Sequence, residues 1–462
     1  MITIMIVIQQ KGDQMSVKQI VEEIKSKDSL PEYWDFKGND QREHVHSMIK
    51  YPAVMVPNMQ GEIFDILLKY DDTISNVLDP FMGSGTILVE GYLRGLDVLG
   101  IDINPLSFLA VKVKLQRYAI KTLQDKSKDL ITRIQNDSNT DRFEFDNIKK
   151  WYKNDVIESL SKIRRCILLE PDKKYRQLFW VTFAEIAKQA DNSRTSTFKL
   201  HIKEQSRIDD WEYDCIEKFK FKLLENITAL KDFMKMQEKG INHKKVSIKY
   251  GDSLEILSDQ RCFKENSIDL VITSPPYGDN ATTITYGQFS VLPLKWIPLG
   301  DIDSKISNSV IETLSKIDSD SLGGKNYTVQ SIVDSDLYSY SQPFSKLYNQ
   351  LTDAMQIDKA RKVASFLLDF EKIIASLHKI VKENKFMVFT VGNRHVNKLE
   401  VPFDEILETI AEHYGFNIIY DFRRNILKNK NYSDTKAQNF KTIKKETIIV
   451  LQKSIKSQKP KT

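Results

Sequence analysis

The chain has 462 residues, of which 41% are hydrophobic and 28% charged, and its formal net charge is +5 at pH 7. These values exclude a fibrous or disordered chain and suit two or three structural units with a buried core. The small positive charge permits a polyanionic partner. The three cysteines, Cys166, Cys215 and Cys262, form no disulfide or metal-ligand pattern, so we expect a cytoplasmic protein without a metal site.

We interpret both ends of the chain as tails. The N-terminal "MITIMIVI" is apolar but too short to cross a bilayer, and it lacks the positive region and cleavage site of a signal peptide. Met15 then opens "MSVKQIVEEI", a good helix start. We therefore expect residues 1–14 to be a poorly ordered tail, residues 453–462 to be a basic tail, and the protein to be soluble with no membrane partner.

Residues 15–117 carry the first alternation of strands and helices. Apolar runs predict strands at 74–78 and 97–102 with a helix between them. Asn104-Pro105 opens the next helix, because proline is favoured at the first helical position. Between the first strand and its helix, "DPFMGSGT" forms a glycine-rich turn. Strands that alternate with helices predict a parallel sheet.

The glycine-rich turn has the character of a cofactor site. Gly83 and Gly85 let the backbone turn tightly and let a ligand approach the main chain. Asp102 ends the next strand, at the distance where an acidic side chain meets ribose hydroxyls. A Gly-x-Gly pair alone is weak evidence, and the third glycine of the dinucleotide fingerprint is absent because position 88 is Leu. The turn therefore favours a nucleoside cofactor without a pyrophosphate.

Residues 118–245 differ from the strand–helix alternation that precedes them. Their segments "DVIESLSKIRRCIL" and "YRQLFWVTFAEIAKQA" show helical periodicity. We expect a helical insertion into the α/β domain, as a candidate for recognising a target sequence. Within it, "DNSRTSTFKLHIK" (191–203) mixes hydroxyls with basic side chains that suit phosphates and base edges, and Arg194 and Lys199 are the DNA-binding candidates. A solvated loop between helices explains the same stretch equally well.

Residues 246–452 resume the alternation and complete an α/β, doubly wound sheet. Strands are predicted at "KVSIKY", "IDLVIT", "KFMVFTVGN", "NIIYDF" and "TIIVLQ", with helices at about 360–382 and 403–414. Asp252 ends the first of these strands, where it is placed to accept from an adenine amino group. The stretch 298–350, rich in Ser and Asp, is expected to be a loop-like excursion and competes with the insertion for target recognition.

"TSPPY", residues 273–277, ends a predicted core strand with two prolines, which make a stiff corner with carbonyl oxygens and few donors. The Ser274 hydroxyl adds an acceptor, and Tyr277 offers a flat face for stacking. This set suits a planar ring with an exocyclic amine, held by Ser274 Oγ and the Pro275 carbonyl. Both acceptors would stabilise the positive charge that develops as the amine attacks a methyl group. A base would have to be flipped out of a duplex to reach it.

These segments together resemble the DNA amino-methyltransferases that use S-adenosyl-L-methionine. "DPFMGSGT" resembles their cofactor loop, and "TSPPY" resembles their catalytic motif in the form typical of cytosine-N4 enzymes. "HSMIKYPAVMVPNM" (46–59) resembles the segment that closes over the methionine part of the cofactor. "VGNRHV", "RRNI" and "KKETIIVL" resemble the later strands of site-specific modification methylases. The resemblance covers most of the chain outside 118–245.

The resemblance implies a seven-strand Rossmann-like methyltransferase fold and methyl transfer from S-adenosyl-L-methionine to the N4 amino group of a flipped cytosine in double-stranded DNA. It also implies a restriction–modification system, with a cognate restriction endonuclease acting on the same site. The candidates for cofactor binding come from the segments that match the family and from the acidic residues that end two of the strands. They are Tyr51, Asp79, Phe81, Gly83, Gly85, Thr86, Asp102, Asp252 and Thr273. The positions that match its catalytic motif are Ser274, Pro275, Pro276 and Tyr277.

Three arginines and several alternatives complete the hypothesis. Arg394, Arg423 and Arg424 follow or lie within the later strands, and we expect them to grip the DNA backbone. Adenine N6 is the nearest alternative substrate, although such enzymes usually carry Asp or Asn where Ser274 stands. RNA bases, a glutamine amide and a catalytically silent nucleic-acid-binding subunit are further alternatives. Cytosine-C5 chemistry is disfavoured because no cysteine follows a proline.

Overall fold

The computed structural model describes residues 16–38, 42–195, 199–238, 244–280, 283–426 and 443–454. The expected tail of residues 1–14 lies outside these ranges, as does the basic tail 453–462 beyond its first two residues. Within the described ranges, no helix combines the length and the apolar character needed to cross a membrane.

Strands and helices alternate through most of the described chain. The strands are β1 (Asn76–Asp79), β2 (Asp97–Asp102), β3 (Val246–Tyr250), β4 (Ile268–Thr273), β5 (Val381–Val391), β6 (Arg394–Val396), β7 (Leu399–Val401), β8 (Phe416–Asn425) and β9 (Lys445–Lys453). The helices are α1 (16–28), α2 (Pro57–Tyr70), α3 (Thr86–Leu93), α4 (Pro105–Leu115), α5 (Ile120–Asn136), α6 (Ile148–Trp151), α7 (Asn154–Leu168), α8 (Lys173–Gln189), α9 (Gln205–Asp209), α10 (Cys215–Glu238), α11 (Ser253–Ser258), α12 (Tyr286–Trp296), α13 (Leu299–Ile302), α14 (Lys316–Asp320), α15 (Val329–Val333), α16 (Asp336–Tyr340), α17 (Gln342–Asp353), α18 (Ile357–Ile380) and α19 (Phe403–His413).

One seven-stranded sheet has the order β3-β2-β1-β4-β5-β9-β8. The strands from β3 to β5 pair in parallel, whereas β9 runs antiparallel to both of its neighbours. The sheet is therefore mixed rather than wholly parallel, and the predicted seven-strand Rossmann-like α/β fold is confirmed. The strand order reverses at β1 and β4, and in such sheets the carboxyl ends at the reversal open a crevice.

The local sequence explains the elements around this crevice. Asn104 caps α4 by accepting a hydrogen bond from the Leu106 amide at 3.0 Å. Asp252 caps α11 in the same way, through the Glu255 amide at 3.0 Å. Every residue of β4 is buried, as expected for a central strand covered on both faces. These caps and strands place several polar side chains at one edge of the sheet.

The helical insertion shares an apolar core with the sheet instead of standing apart from it. Helix α8 packs against α4 and α12, and the buried residues of these helices belong to one continuous cluster. Trp296 of α12 is fully buried. Its ring lies 5.7 Å from Phe143, 5.5 Å from Tyr152 and 6.0 Å from Phe183, measured between centroids. The insertion therefore supports the half of the chain that carries "TSPPY".

The expectation of a loop-like excursion at 298–350 is wrong, because this stretch contains α13 to α16 and most of α17. Its buried side chains Ile332, Leu337 and Phe344 pack in the core that includes α18. Ser335 caps α16 by accepting from a backbone amide. Serine and aspartate are favoured at such helix starts, so a series of short capped helices has the same composition as a loop.

We predict that Trp296→Ala lowers the free energy of unfolding by about 3–5 kcal/mol, because it leaves a large cavity between the insertion and α12. Urea denaturation followed by circular dichroism measures the change. Met355→Ala is the control, since Met355 is 89% exposed, and surface substitutions of this kind change stability by less than about 0.5 kcal/mol. A loss below about 1 kcal/mol for Trp296→Ala would contradict the shared core.

Candidate active site

A cavity opens at the carboxyl ends of β1, β2 and β4 and brings most of the sequence-predicted site residues together. The predicted residues in its wall are Tyr51, Phe81, Gly83, Thr86, Asp102, Asp252, Ser274 and Pro276. The predicted residues outside its wall are Asp79, Gly85, Thr273, Pro275 and Tyr277. The cofactor half and the catalytic corner thus face one space, although nearly two hundred residues separate them in the sequence.

The glycine turn is held by the carboxylate of Asp102. The Gly83 amide donates to Asp102 Oδ2 at 2.8 Å, and the Asn104 amide donates to Asp102 Oδ1 at 2.8 Å. Burial raises the pKa of Asp102 above its ordinary value. Each carboxylate oxygen keeps a further lone pair, so this side chain can still accept from a ligand in the cavity.

The two glycines of the turn have different physical roles. Both have a positive φ, 46° at Gly83 and 81° at Gly85, a region that favours glycine. A Cβ atom on Gly85 would lie 2.7 Å from the Val111 side chain, so packing of the turn onto α4 requires glycine there. Gly83 lies in the cavity wall beside the Tyr51 ring, where a ligand can approach its backbone.

Tyr51 covers one side of the cavity. Its ring stacks on Tyr286 with centroids 5.8 Å apart. Its hydroxyl accepts from Asn104 Nδ2 at 3.1 Å, and the same amide group donates to Ser290 Oγ at 2.8 Å. Asn104 therefore joins the segment 46–59, the start of α4 and α12.

Asp79 and Thr273 tie β1 to β4 beneath the cavity. Asp79 Oδ1 accepts from Thr273 Oγ1 at 2.7 Å and from the Phe81 amide at 3.0 Å. Both side chains are fully buried, and burial raises the pKa of Asp79 to about 7. These two residues orient the "DPFMG" turn and the "SPPY" corner relative to each other, and they do so from behind the cavity wall.

The catalytic corner is supported by residues that the sequence did not single out. Ser274 Oγ lies 3.3 Å from the Tyr277 hydroxyl, which donates to Glu446 Oε1 at 3.0 Å. The Tyr277 ring lies against Gly392, where an added Cβ would come within 2.8 Å of two ring carbons. The Cδ2–Cε2 side of the ring therefore lies against the backbone after β5, and the hydroxyl is held by β9.

Four further residues around the site escaped the sequence analysis. The sequence marks Asn104 only as a helix start, Tyr286 belongs to no motif, and Glu446 lies in "KKETIIVL" without a predicted role of its own. Lys114 is fully buried and donates to the Ser84 carbonyl at 2.8 Å, and burial lowers its pKa to about 7. Lys114 lies in a mainly apolar helix that also contains Lys112 and Ser107, so the sequence carries only a weak signal for it.

The expected DNA-gripping arginines are mostly buried in ion pairs. Arg394 is 6% exposed and its guanidinium lies 3.3 Å from Asp279 Oδ2. Arg424 is 5% exposed and donates to Glu446 Oε2 at 3.0 Å. Neither side chain presents its charge to a phosphate, which corrects the expectation for both. Arg423, the preceding residue of β8, faces the opposite side of the sheet. Its side chain is 62% exposed, and its guanidinium lies 3.6 Å from Asp404 Oδ2.

The basic stretch 191–203 lies next to the site through one backbone contact, although its residues 196–198 fall outside the described ranges. The Leu200 amide donates to Gln288 Oε1 at 3.0 Å, in the first turn of α12. Arg194 is exposed and donates to the Ile202 carbonyl at 3.1 Å, and Lys199 is exposed. The stretch is therefore attached to the helix that carries Tyr286 into the cavity wall.

The structure also gathers a group that the sequence analysis missed, in which the metal-ligating atoms of His44, His46 and Glu90 lie within 4.8 Å of one another. Burial lowers the pKa of both imidazoles, to about 4 for His44. Glu90 is already held at both oxygens, by His46 at 3.0 Å and by Arg94 at 2.7 Å. These bonds explain the group as a polar contact that fixes residues 44–47 to α3.

Comparison with known proteins places the chain in a family. No protein-family model matches it. The Type II methyltransferase M.MvaI of Kocuria varians is 31% identical over 439 residues, a match that covers 92% of this chain and 94% of that protein. The chain belongs to the Type II methyltransferases. It is therefore a methyltransferase, and the cavity at the carboxyl edge of its sheet is the candidate site of the reaction.

Other relatives match shorter parts of this Type II methyltransferase. M.BsoBI of Geobacillus stearothermophilus is 25% identical over 264 residues, which covers 52% of this chain and 50% of that protein. The tRNA (guanine(10)-N2)-dimethyltransferase of Pyrococcus abyssi is 32% identical over 89 residues, which covers 19% of this chain and 26% of that protein.

We predict that the buried carboxyl of Asp79 makes the stability of this methyltransferase depend on pH. Its pKa is about 7 in the folded state and close to 3.8 in the unfolded state, so the folded state binds the proton more tightly. The stabilisation is full below the unfolded pKa and is lost as the pH rises through about 7.

The measurement is the free energy of unfolding of wild type minus that of Asp79→Asn, taken from pH 4 to pH 9. We expect this difference to fall up to about pH 8 and then to stay level. Asp358→Asn is the control, because the Asp358 side chain is 94% exposed and its difference should stay flat. A flat difference for Asp79→Asn as well would show that Asp79 ionises normally.

Proposed function

We propose that this Type II methyltransferase transfers a methyl group from S-adenosyl-L-methionine to the N4 amino group of a flipped cytosine in double-stranded DNA. One observation carries the proposal: Ser274 and Pro276 of the proline corner line the same cavity as Gly83 and Asp102 of the glycine turn. A donor held by the turn and an amine held by the corner would meet there without any rearrangement of the sheet.

The cavity residues fit a nucleoside cofactor. Asp102 offers acceptor oxygens of the kind that a ribose diol needs, and Asp252 follows the neighbouring strand, where an adenine amino group would come within reach. Phe81 supplies an aromatic surface in the wall, and Tyr51 closes the side next to Gly83. When bound, S-adenosyl-L-methionine supplies a methyl group made electrophilic by its sulfonium.

The proline corner suits an amine that is a poor nucleophile. Ser274 Oγ and the Pro275 carbonyl are assigned to accept its two hydrogens, which stabilises the positive charge that grows on nitrogen during attack. Alignment of the nitrogen with the methyl carbon supplies the rest of the rate. Serine is a weak base, so the methylated, positively charged nitrogen is assigned to lose its proton to water after the methyl group is transferred.

The target base is assigned to the part of the cavity lined by Ser274 and Pro276, with the neighbouring Tyr277 ring as the proposed stacking surface. Stacking and hydrogen bonds there would offset the few kcal/mol that flipping a base out of a duplex costs. The tRNA methyltransferase of Pyrococcus abyssi, which matches a short part of this chain, is named for the N2 amino group of a guanine. This name supports an exocyclic amine as the acceptor of the methyl group. Adenine N6 is the second candidate, because the same two acceptors can take the hydrogens of its amino group.

We also propose a biological role for the enzyme. Type II methyltransferases as named relatives support a modification role in a restriction–modification system, with a cognate endonuclease acting on the same DNA site. The insertion 118–245 is assigned to target recognition, because its stretch 191–203 is attached to α12. Arg194, Lys199 and Arg423 are the exposed basic side chains assigned to DNA phosphates.

We predict that wild-type enzyme incubated with duplex DNA and methyl-labelled S-adenosyl-L-methionine puts the label into N4-methylcytosine, identified after digestion to nucleosides. Ser274→Ala should keep cofactor affinity, measured by calorimetry, and lose about 100-fold or more in turnover, because one acceptor of the amine is removed. Asp102→Ala is the matched variant and should weaken cofactor binding instead.

Label in N6-methyladenine would select the second candidate. Equal turnover of wild type and Ser274→Ala would reject the assigned role of the corner, and absence of label from any DNA nucleoside would reject DNA as the substrate.

We predict that Arg423→Gln weakens DNA binding about equally for all sequences and reduces the slope of log affinity against log salt by about 1, as expected for the loss of one phosphate contact. Fluorescence anisotropy with two unrelated duplexes measures both effects. Arg261→Gln is the control, because Arg261 is exposed and lies before β4, at the opposite edge of the sheet. An unchanged slope for Arg423→Gln excludes that contact.

A further inference from the structure

A line of polar contacts runs from the catalytic corner to the far side of the sheet. Ser274 Oγ is 3.3 Å from the Tyr277 hydroxyl, and this hydroxyl donates to Glu446 Oε1 at 3.0 Å. Arg424 donates to the other oxygen, Glu446 Oε2, at 3.0 Å. None of these contacts is predictable from the sequence, from which Arg424 is expected to contact DNA.

The donors and acceptors along this line leave one consistent arrangement. A carboxylate paired with an arginine can only accept, so Glu446 takes the single hydrogen of the Tyr277 hydroxyl. The Tyr277 oxygen then acts as an acceptor toward Ser274, whose own hydrogen points at it. As a result, the lone pairs of Ser274 Oγ are turned away from Tyr277 and toward the cavity.

That arrangement is the one an amino group requires. An amine offers hydrogens, so a serine whose O–H pointed into the cavity would place donor against donor. We propose that Glu446 is a positioning residue that sets the hydrogen-bond direction of Ser274, through Tyr277, so that Ser274 accepts from the substrate amine. This inference rests on the proposed function and adds to it the residue that prepares the catalytic serine.

The packing around Tyr277 and Glu446 restricts these polar contacts. Arg424 and Glu446 are cross-strand partners in β8 and β9, and Arg424 is 5% exposed while the Glu446 side chain is 18% exposed. The Tyr277 ring lies against Gly392, where even a methyl group would overlap it. This contact blocks the ring on the Gly392 side, while its hydroxyl lies between Ser274 and Glu446.

Glu446→Gln is the decisive variant, since it keeps the shape and exchanges an acceptor for a donor. The Arg424 donors would take the new amide oxygen, and the amide N–H would face Tyr277. The Tyr277 hydroxyl would then donate to Ser274, whose hydrogen would turn into the cavity. We expect turnover to fall about tenfold or more while cofactor affinity measured by calorimetry is unchanged.

A double-mutant cycle separates this role from a structural one. In a Tyr277→Phe background the link between positions 446 and 274 is broken, so Glu446→Gln should change turnover by less than about twofold there. The same loss in both backgrounds would overturn the proposal, because it would mean that Glu446 acts without Tyr277. Unchanged turnover of Glu446→Gln in the wild-type background would overturn it as well.

A matched control variant and a second variant allow the result for Glu446→Gln to be interpreted. Glu383→Gln makes the same chemical change at an exposed position of β5 and should leave turnover unchanged. If Glu446→Gln does not fold, Tyr277→Phe alone decides: turnover must fall at unchanged cofactor affinity, and full turnover rejects the inference. If the wild-type enzyme labels no DNA, the proposed function is rejected. If the wild type is active and Glu446→Gln is equally active, only the inference about Glu446 is rejected.

Discussion

The hydrogen bond between Asp79 and Thr273 is the contact on which the site depends. It joins β1 to β4 at 2.7 Å, where the strand order of the sheet reverses. Asp79 is followed directly by the glycine turn, and Thr273 is followed directly by the proline corner. This buried bond continues the backbone pairing of β1 with β4 and ties the start of the glycine turn to the start of the proline corner. Its burial also explains why the pKa of the Asp79 carboxyl is raised.

The remaining structure supports this junction from several sides. Asn104 connects the Tyr51 hydroxyl to Ser290 of α12, and Trp296 anchors the other end of α12 in the aromatic core of the insertion. The insertion therefore does two things: it completes the core beneath α12, and it carries the stretch 191–203 to the start of the same helix. Loss of the insertion would expose apolar surface on α12 as well as remove that stretch.

Two buried ion pairs lie behind the proline corner in this Type II methyltransferase. Arg394 pairs with Asp279, and Arg424 pairs with Glu446, so both positions stiffen the corner that bears Ser274. A buried pair of this kind costs desolvation free energy, and losing one partner leaves an unpaired charge inside the protein. Such pairs hold a geometry more than they add stability, which suits residues that position an acceptor.

The sequence alone predicts the seven strands of the main sheet, the two motifs and their order, because periodicity, glycine turns and proline corners are local properties of the chain. The short strands β6 and β7 are not predicted from it. "IDLVIT" and the "DVLGID" strand occur within the bounds expected. It did not determine that 298–350 is helical, because the serines and aspartates that cap short helices also favour loops. Nor did it determine the environment of Arg394, Arg424 or Glu446. Whether a charged side chain faces solvent or a partner depends on strands that are distant in the chain and meet only when the sheet forms.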